Sequence, residues 1–173
     1  MILPSYLLTH FFMQKILISL AIFSLSFGTL HARSVVPDSD LPYISYLVTR
    51  LSATETPYDN AYWDNHDAGI YVDIISGVPL FSSRDKYDSN TGWPTFARTI
   101  NTWTIDYKSD LSTWEERTEV VSRRSGAHLW HLFDDGPAMY NGVRYCMNSA
   151  ALRFVPQSEM RREGYGSLIR FVR

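Results

Sequence analysis

The spacing of apolar positions changes character along the chain. From Ile16 to Leu30 the positions are almost all apolar or small, in the run ILISLAIFSLSFGTL. Between Leu41 and Val48 they cluster at Leu41, Ile44, Tyr46, Leu47 and Val48, the pattern of a helix laid on a sheet. Ser39-Asp40 is expected to cap that helix, with Pro42 in its first turn and its end near Val48. A further short helical turn is expected over Ala61 to His66. From Gly69 onward β-branched and aromatic residues take over, in Ile70 to Ile75 and, past the Ser76-Gly77-Val78-Pro79 turn, in Leu80-Phe81. Further strands are expected over Thr95 to Ile100, Trp103 to Tyr107, Arg117 to Ser122, Ala127 to Phe133, Val143 to Met147 and Leu152 to Val155. Asp134-Asp135-Gly136-Pro137 is turn chemistry, and Tyr140-Asn141-Gly142 reads as a hairpin turn into the next strand. Pro156 ends the last strand, and a short helix from Ser158 to Glu163 stops at Gly164. Many short strands separated by turns predict a mainly β domain. The expected core is two antiparallel sheets packed as a twisted, barrel-like β-tent with short peripheral helices.

The leading apolar run is preceded by Lys15 and followed by Leu30-His31-Ala32, which suits cleavage after a small residue. Residues 1–32 are therefore read as a secretory signal peptide, with Met13 as an alternative start. The run is short for a membrane span, which needs about 20 residues. An uncleaved N-terminal anchor is the alternative, and membrane contact is expected only in that case. Residues 33–38 then form a linker, and 39–173 a single catalytic domain that is exported to the periplasm or secreted.

The 173 residues suffice for one domain with a real core. A net charge of −2 and the lack of any basic run argue against nucleic acid as a partner. Nothing in the chain demands more than a monomer. Aromatic residues make up 14% of it, which favours strands and supplies material for an aromatic-lined pocket.

There is one cysteine, Cys146, in the stretch RYCMNS. A lone thiol can form neither an internal disulfide nor a thiolate zinc cage, even though export would place it in an oxidising compartment. What remains to it is nucleophilic attack and a transient oxidised state of sulfur, or simply burial as a small hydrophobe. Upstream lies HLWHLFDDGP, residues 128–137, where two histidines and two carboxylates crowd together. A base or cation of that kind is what a thiol needs to become a nucleophile.

These stretches resemble a known family. YWDN (62–65), GIYVD (69–73), PLFSS (79–83), GWPTF (92–96), RTEV (117–120), HLFDDGP (131–137) and RYCMNSA (144–150) stand in the order and spacing of the B-type methionine sulfoxide reductases, from about Pro42 to Phe171. The resemblance implies reduction of the R epimer of methionine sulfoxide, in proteins and as the free amino acid. It makes Cys146 the nucleophile and His131 the residue that supplies or relays the proton to oxygen. His128, Asp135, Arg144 and Asn148 would hold a polar network around them, with Phe133 in support. Trp93 would pack against the substrate's methyl group. Arg144 and the two histidines would favour the thiolate by charge.

The chain also departs from the family's pattern. Where many members bind zinc through two C-x-x-C pairs, it has Asp73 and Ser76, then Ser122 and Ser125. Those are poor zinc ligands, so no metal and no cofactor is expected. Thr91 stands where self-recycling members keep a second cysteine. An external thiol must then regenerate Cys146, from a thioredoxin-like protein or glutathione. Ala127 and Trp130 replace the usual serine and glycine between and beside the histidines. Strict strand alternation turns Trp130 away from His131. The segment Leu111 to Glu116 is less apolar than usual, which bears on substrate preference at the rim. The competing reading is a catalytically weak sulfoxide-binding module of the same fold. A cysteine hydrolase using Cys146 and His131 has no signature here.

Overall fold

The computed structural model describes residues 34–172; the expected signal peptide lies outside them. Among the described residues, one α-helix, α1 (Tyr43–Leu51), precedes nine strands. These are β1 (Gly69–Asp73), β2 (Pro79–Ser82), β3 (Lys86–Tyr87), β4 (Thr95–Phe96), β5 (Ile105–Asp110), β6 (Arg117–Ser122), β7 (His128–Phe133), β8 (Arg144–Met147) and β9 (Leu152–Pro156). They form two antiparallel sheets, ordered β2-β1-β9 and β3-β4-β8-β7-β6-β5. The expected mainly β, two-sheet architecture is present, but neither sheet closes, so there is no barrel.

An aromatic stack joins the sheets. Phe81 of β2 lies face to face with Phe96 of β4, ring centroids 4.4 Å apart. Tyr71 of β1 meets Phe96 edge-on at 5.0 Å, and Phe81 reaches Tyr145 of β8 at 5.7 Å. Such pairs each add about 1 kcal/mol beyond simple burial. They also fix the facing of β8. With Tyr145 committed to the core, alternation turns its neighbours Arg144 and Cys146 to the opposite face.

Several local expectations need correction. Ser39 and Asp40 belong to a 3-10 turn, Asp38–Asp40, and do not cap α1, which starts after Pro42 with no side-chain cap. The helix runs on to Leu51 and ends on Ser52 in the left-handed conformation. Residues 61–64 and 157–164 form turns, not helices, while a 3-10 segment, Gly166–Phe171, follows near the C-terminus. Thr95 to Ile100 contributes only β4. Trp103 falls in a 3-10 turn, so the strand expected there starts at Ile105 and continues to Asp110. Arg117–Ser122 is a strand as expected, and the β7 and β8 expectations hold to within one residue.

Candidate active site

The site is built on the central hairpin β7–β8. Its register sets His131 opposite Cys146 and Phe133 opposite Arg144, so these four side chains share one face. The ten-residue link between the strands is tight at Gly136. A Cβ there would lie 2.0 Å from the carbonyl oxygen of Val143, so no other residue fits. On the far side of Cys146, β4 places Thr95 opposite it.

A bulge completes the constellation. His128 and His131 are an odd number of residues apart, and a regular strand would send them to opposite faces. Register slips between Val120 and Val121 of β6, so that Val121 faces His128 and Val120 faces Trp130. Both imidazoles then turn to the same side, with centroids 5.8 Å apart, while Leu129 stays in the core. The backbone deviation is taken up by Trp130, whose φ is +146°. That region favours glycine, and a residue with a side chain there costs about 1–3 kcal/mol. The expectation that Trp130 points away is therefore overturned. Its ring stands perpendicular to Trp93 at 4.3 Å, and 6.1 Å from His131.

Electrostatics around His131 follow from its partners. The ring is only 3% exposed. Nε2 lies 2.7 Å from Asp110 Oδ2, at the end of β5. Ser112 holds the Asp110 carboxyl far below the usual carboxylate range, and His131 and Arg117 add to the effect. An ionised carboxylate only accepts, so Nε2 carries the hydrogen. Burial pushes the imidazole below its ordinary pKa, against the pull of Asp110. His131 is thus neutral, and its other nitrogen, Nδ1, is a bare acceptor. That nitrogen is buried and has no hydrogen-bond partner. His128 is held separately, Nδ1 to Glu119 Oε1 at 2.6 Å.

Cys146 is 2% exposed, and burial pushes its thiol above the ordinary value. Thr91, Arg144 and Thr95 pull the other way without prevailing. The expected pull of Arg144 toward the thiolate is present, but burial outweighs it. The resting pair is a thiol beside a neutral imidazole. Around the sulfur lies a hydroxyl cluster. Thr91 Oγ1 is 3.9 Å from Sγ, and Ser89 bonds both Thr91 and Thr95 at 2.8 and 2.7 Å.

The remaining predicted residues act as supports. Arg144 forks onto Asp135 at 2.6 and 3.0 Å and lies 4.2 Å over the Phe133 ring. Burial alone would lower the guanidinium's pKa, but Asp135 and Cys146 outweigh it and raise it. Asn148 is fully buried; its Oδ1 accepts from the Glu55 amide at 3.1 Å. The Glu55 carbonyl in turn accepts from Trp93 Nε1 at 3.1 Å. Asn148 therefore steadies Trp93 through Glu55. Gly92, at φ +85°, brings the chain against Tyr58 just before that indole, and a Cβ there would sit 2.7 Å from the Tyr58 amide.

Comparison with known proteins agrees with this geometry. The family model described as "SelR domain" matches residues 41–156. The chain belongs to the B-type methionine sulfoxide reductases. It is also 51% identical, over 148 residues, to a Vibrio cholerae protein named peptide methionine sulfoxide reductase MsrA/MsrB. The match covers 82% of this chain and 39% of that relative, so the chain spans well under half of the relative's length.

Against the reductase family, the positions associated with zinc take a different form. Asp73 Oδ2 accepts from the hydroxyls of Ser76, Ser122 and Ser125 at 2.5, 2.6 and 2.6 Å. Its Oδ1 accepts from the Ile75 amide at 2.9 Å. The four residues converge as a zinc site would, but hydroxyls are poor zinc donors and the carboxylate is saturated by them. The set does not fit the metal. It clips the turn after β1 to the turn after β6 by hydrogen bonds alone.

Sequence reasoning passed over Asp110, Glu119, Ser89, Thr95 and Glu55. Glu119 stands in a family-like stretch, RTEV, that gave it no role. Asp110 ends a strand whose extent was misjudged, and its link to His131 appears only once β5, β6 and β7 are aligned.

Proposed function

We propose that this chain reduces the R epimer of methionine sulfoxide to methionine, with Cys146 as nucleophile and His131 as the proton carrier. The observation that carries the reading is the bare, buried Nδ1 of His131 on the residue in register with Cys146. In the first step the Cys146 S–H gives its proton to Nδ1. The thiolate attacks the sulfoxide sulfur, forming a transient S–S bond, while Nδ1–H protonates the oxygen, which leaves that sulfur as hydroxide. The hydroxide then bonds to Cys146 Sγ as the S–S bond breaks and its electron pair returns to the substrate sulfur. The products are a thioether and Cys146–S–OH, with cysteine oxidised and methionine sulfoxide reduced by two electrons. General acid help of this sort is typically worth about 10²–10⁴ in rate. Asp110 keeps the imidazole in the tautomer that can both take and give the proton.

With one cysteine in the chain, the sulfenic acid needs an external thiol. One thiol forms a mixed disulfide and releases water; a second releases the thiol of Cys146 and leaves as disulfide. A thioredoxin-like protein or glutathione is the proposed donor. The domain is proposed to work without zinc or another cofactor, on oxidised methionine in exported proteins, in the periplasm or outside the cell. No helix among the described residues is long and apolar enough to cross a membrane.

Thiol-dependent methionine formation from purified R and S sulfoxides, with Cys146→Ser as control, tests the proposal. Only the R epimer is turned over, and Cys146→Ser abolishes it. Equal rates on both epimers would refute the assignment. Trp130 and Thr91, the latter in place of a second cysteine, motivate the alternative, a sulfoxide-binding module of the same fold. Sulfoxide bound with no methionine formed under excess dithiothreitol would select it.

A further inference from the structure

Trp130 is retained at a backbone position that glycine would occupy without strain. The bulge itself has a clear purpose, since it aims His128 and His131 at one side of the sheet. The indole is not needed for that. The other residues with side chains at positive φ, Ser52, Tyr58, Asn90 and Asn141, lie between 55° and 65°, the ordinary left-handed turn value. Trp130 alone among them lies inside a strand, at 146°. A strained residue beside a reactive cysteine and histidine is best explained by what its side chain touches.

What it touches is Trp93. The two rings are 4.3 Å apart and inclined by 83°, so they form two walls of a right-angled corner. Trp93 is fixed by its hydrogen bond to the Glu55 carbonyl. Trp130 stands directly before His131 in the chain, and its ring lies 6.1 Å from the His131 ring. The corner therefore adjoins the reacting pair. The methyl group on a sulfoxide sulfur is electron-poor, because the S–O dipole draws density from it. Aromatic faces attract such groups for the same reason that they hold methylated ammonium ions.

On the reductase reading above, we infer that Trp130 is a specificity-determining residue. It turns the single wall of Trp93 into a corner sized for an S-methyl group, and it rejects sulfoxides that carry a larger S-alkyl group. One extra methylene against a filled apolar pocket commonly changes kcat/KM by about 10- to 200-fold.

The test compares the R-sulfoxides of N-acetylmethionine and N-acetylethionine, which differ by one CH₂, with dithiothreitol as reductant. The wild-type chain prefers the methyl substrate by about tenfold or more. Trp130→Gly loses most of that preference through a gain on the ethyl substrate, and its melting temperature does not fall, because the strain is relieved. Trp130→Phe, a narrower wall at the same strained position, relaxes the preference part-way and carries the test alone if the glycine variant does not fold. Turnover by both variants with an unchanged preference overturns the role of Trp130. Absence of turnover of either sulfoxide by the wild-type chain overturns the reductase reading itself.

Discussion

Asp110 Oδ2 lies 2.7 Å from His131 Nε2, and this contact decides which imidazole nitrogen is free to handle a proton. Asp110 also takes an amide hydrogen from Ser112 and an ion pair from Arg117. Its charge and orientation are therefore fixed before any substrate arrives. Asp110→Ala leaves the imidazole free to choose the other tautomer, in which Nδ1 carries the hydrogen and cannot take the thiol's. The expected result is a fall in kcat of about a hundredfold with KM little changed. Steady-state kinetics on the R-sulfoxide check it. Equal losses in binding and turnover would mean that Asp110 only supports the fold.

The protonation states predict an unusually broad pH profile. Activity requires a neutral His131 and a protonated Cys146 in the resting enzyme. Protonating His131 removes the acceptor, and burial pushes that event below the ordinary imidazole value near 6.5. Ionising Cys146 removes the proton needed by the departing oxygen, and burial pushes that event above the ordinary thiol value near 8.5. The plot of kcat/KM against pH should rise below about 6.5, stay flat, and fall only above about 8.5. Alkylation of Cys146 by iodoacetamide should climb with the same alkaline midpoint. A thiol that alkylates with a midpoint near neutrality would contradict the resting thiol–imidazole pair.

Removal of the Asn148 side-chain amide separates binding from chemistry. Asn148 touches neither His131 nor Asp110 in the hydrogen-bond network; it holds the Glu55 amide, and the Glu55 carbonyl holds the Trp93 indole. Asn148→Ala should loosen Trp93 and raise KM several-fold, more than it lowers kcat. Trp93 fluorescence offers a second readout, through Asn148→Ala in a background where the other tryptophans are replaced by phenylalanine. An unchanged KM would remove the proposed link.

Much of the fold was legible because strand patterning and turn chemistry act locally. Arg117 to Ser122 carries three β-branched residues, Thr118, Val120 and Val121, and is followed by the polar turn Arg123 to Gly126, so its limits could be read directly. The helices fared worse. Ser158 to Glu163 has helical composition, yet the backbone there is drawn into consecutive turns, and Tyr165 packs with Met160 in the core under the small sheet. The residues of the site were visible one by one as polar and aromatic positions in otherwise apolar strands. Their arrangement was not. Trp130 was misjudged because alternation assumes a regular strand, and a bulge resets the phase for one residue. The net protonation of Cys146 was not legible, because a sequence names the cations near a thiol but not the loss of water around it.

Asp73 supplies a stability prediction. Three hydroxyls and an amide converge on one buried carboxylate. Asp73→Ala leaves two buried hydroxyls, Ser76 and Ser122, and the half-buried Ser125 without this acceptor, so the loss should be about 2 kcal/mol or more in urea unfolding. A chelator should leave the wild-type melting temperature unchanged. A chelator-induced drop would show that a metal contributes after all.

Thr91 gives the most direct test of the proposed recycling of Cys146. Its hydroxyl lies 3.9 Å from the sulfur of Cys146, next to Ser89 and Thr95. A thiol in its place would start within a short movement of the sulfenic sulfur, where attack expels water and closes a disulfide. In a single turnover without reductant, the wild type should form one methionine and stop as the Cys146 sulfenic acid. Thr91→Cys should form one methionine and stop with no titratable thiol. The variant should also resist irreversible over-oxidation by excess peroxide, because a disulfide lies off the path to the sulfinic acid. If the introduced thiol of Thr91→Cys remains titratable after turnover while Cys146 stays a sulfenic acid, the loop bearing residue 91 is held too rigidly to reach the sulfur. Dependence on an external thiol would then follow from backbone geometry as well as from the missing cysteine.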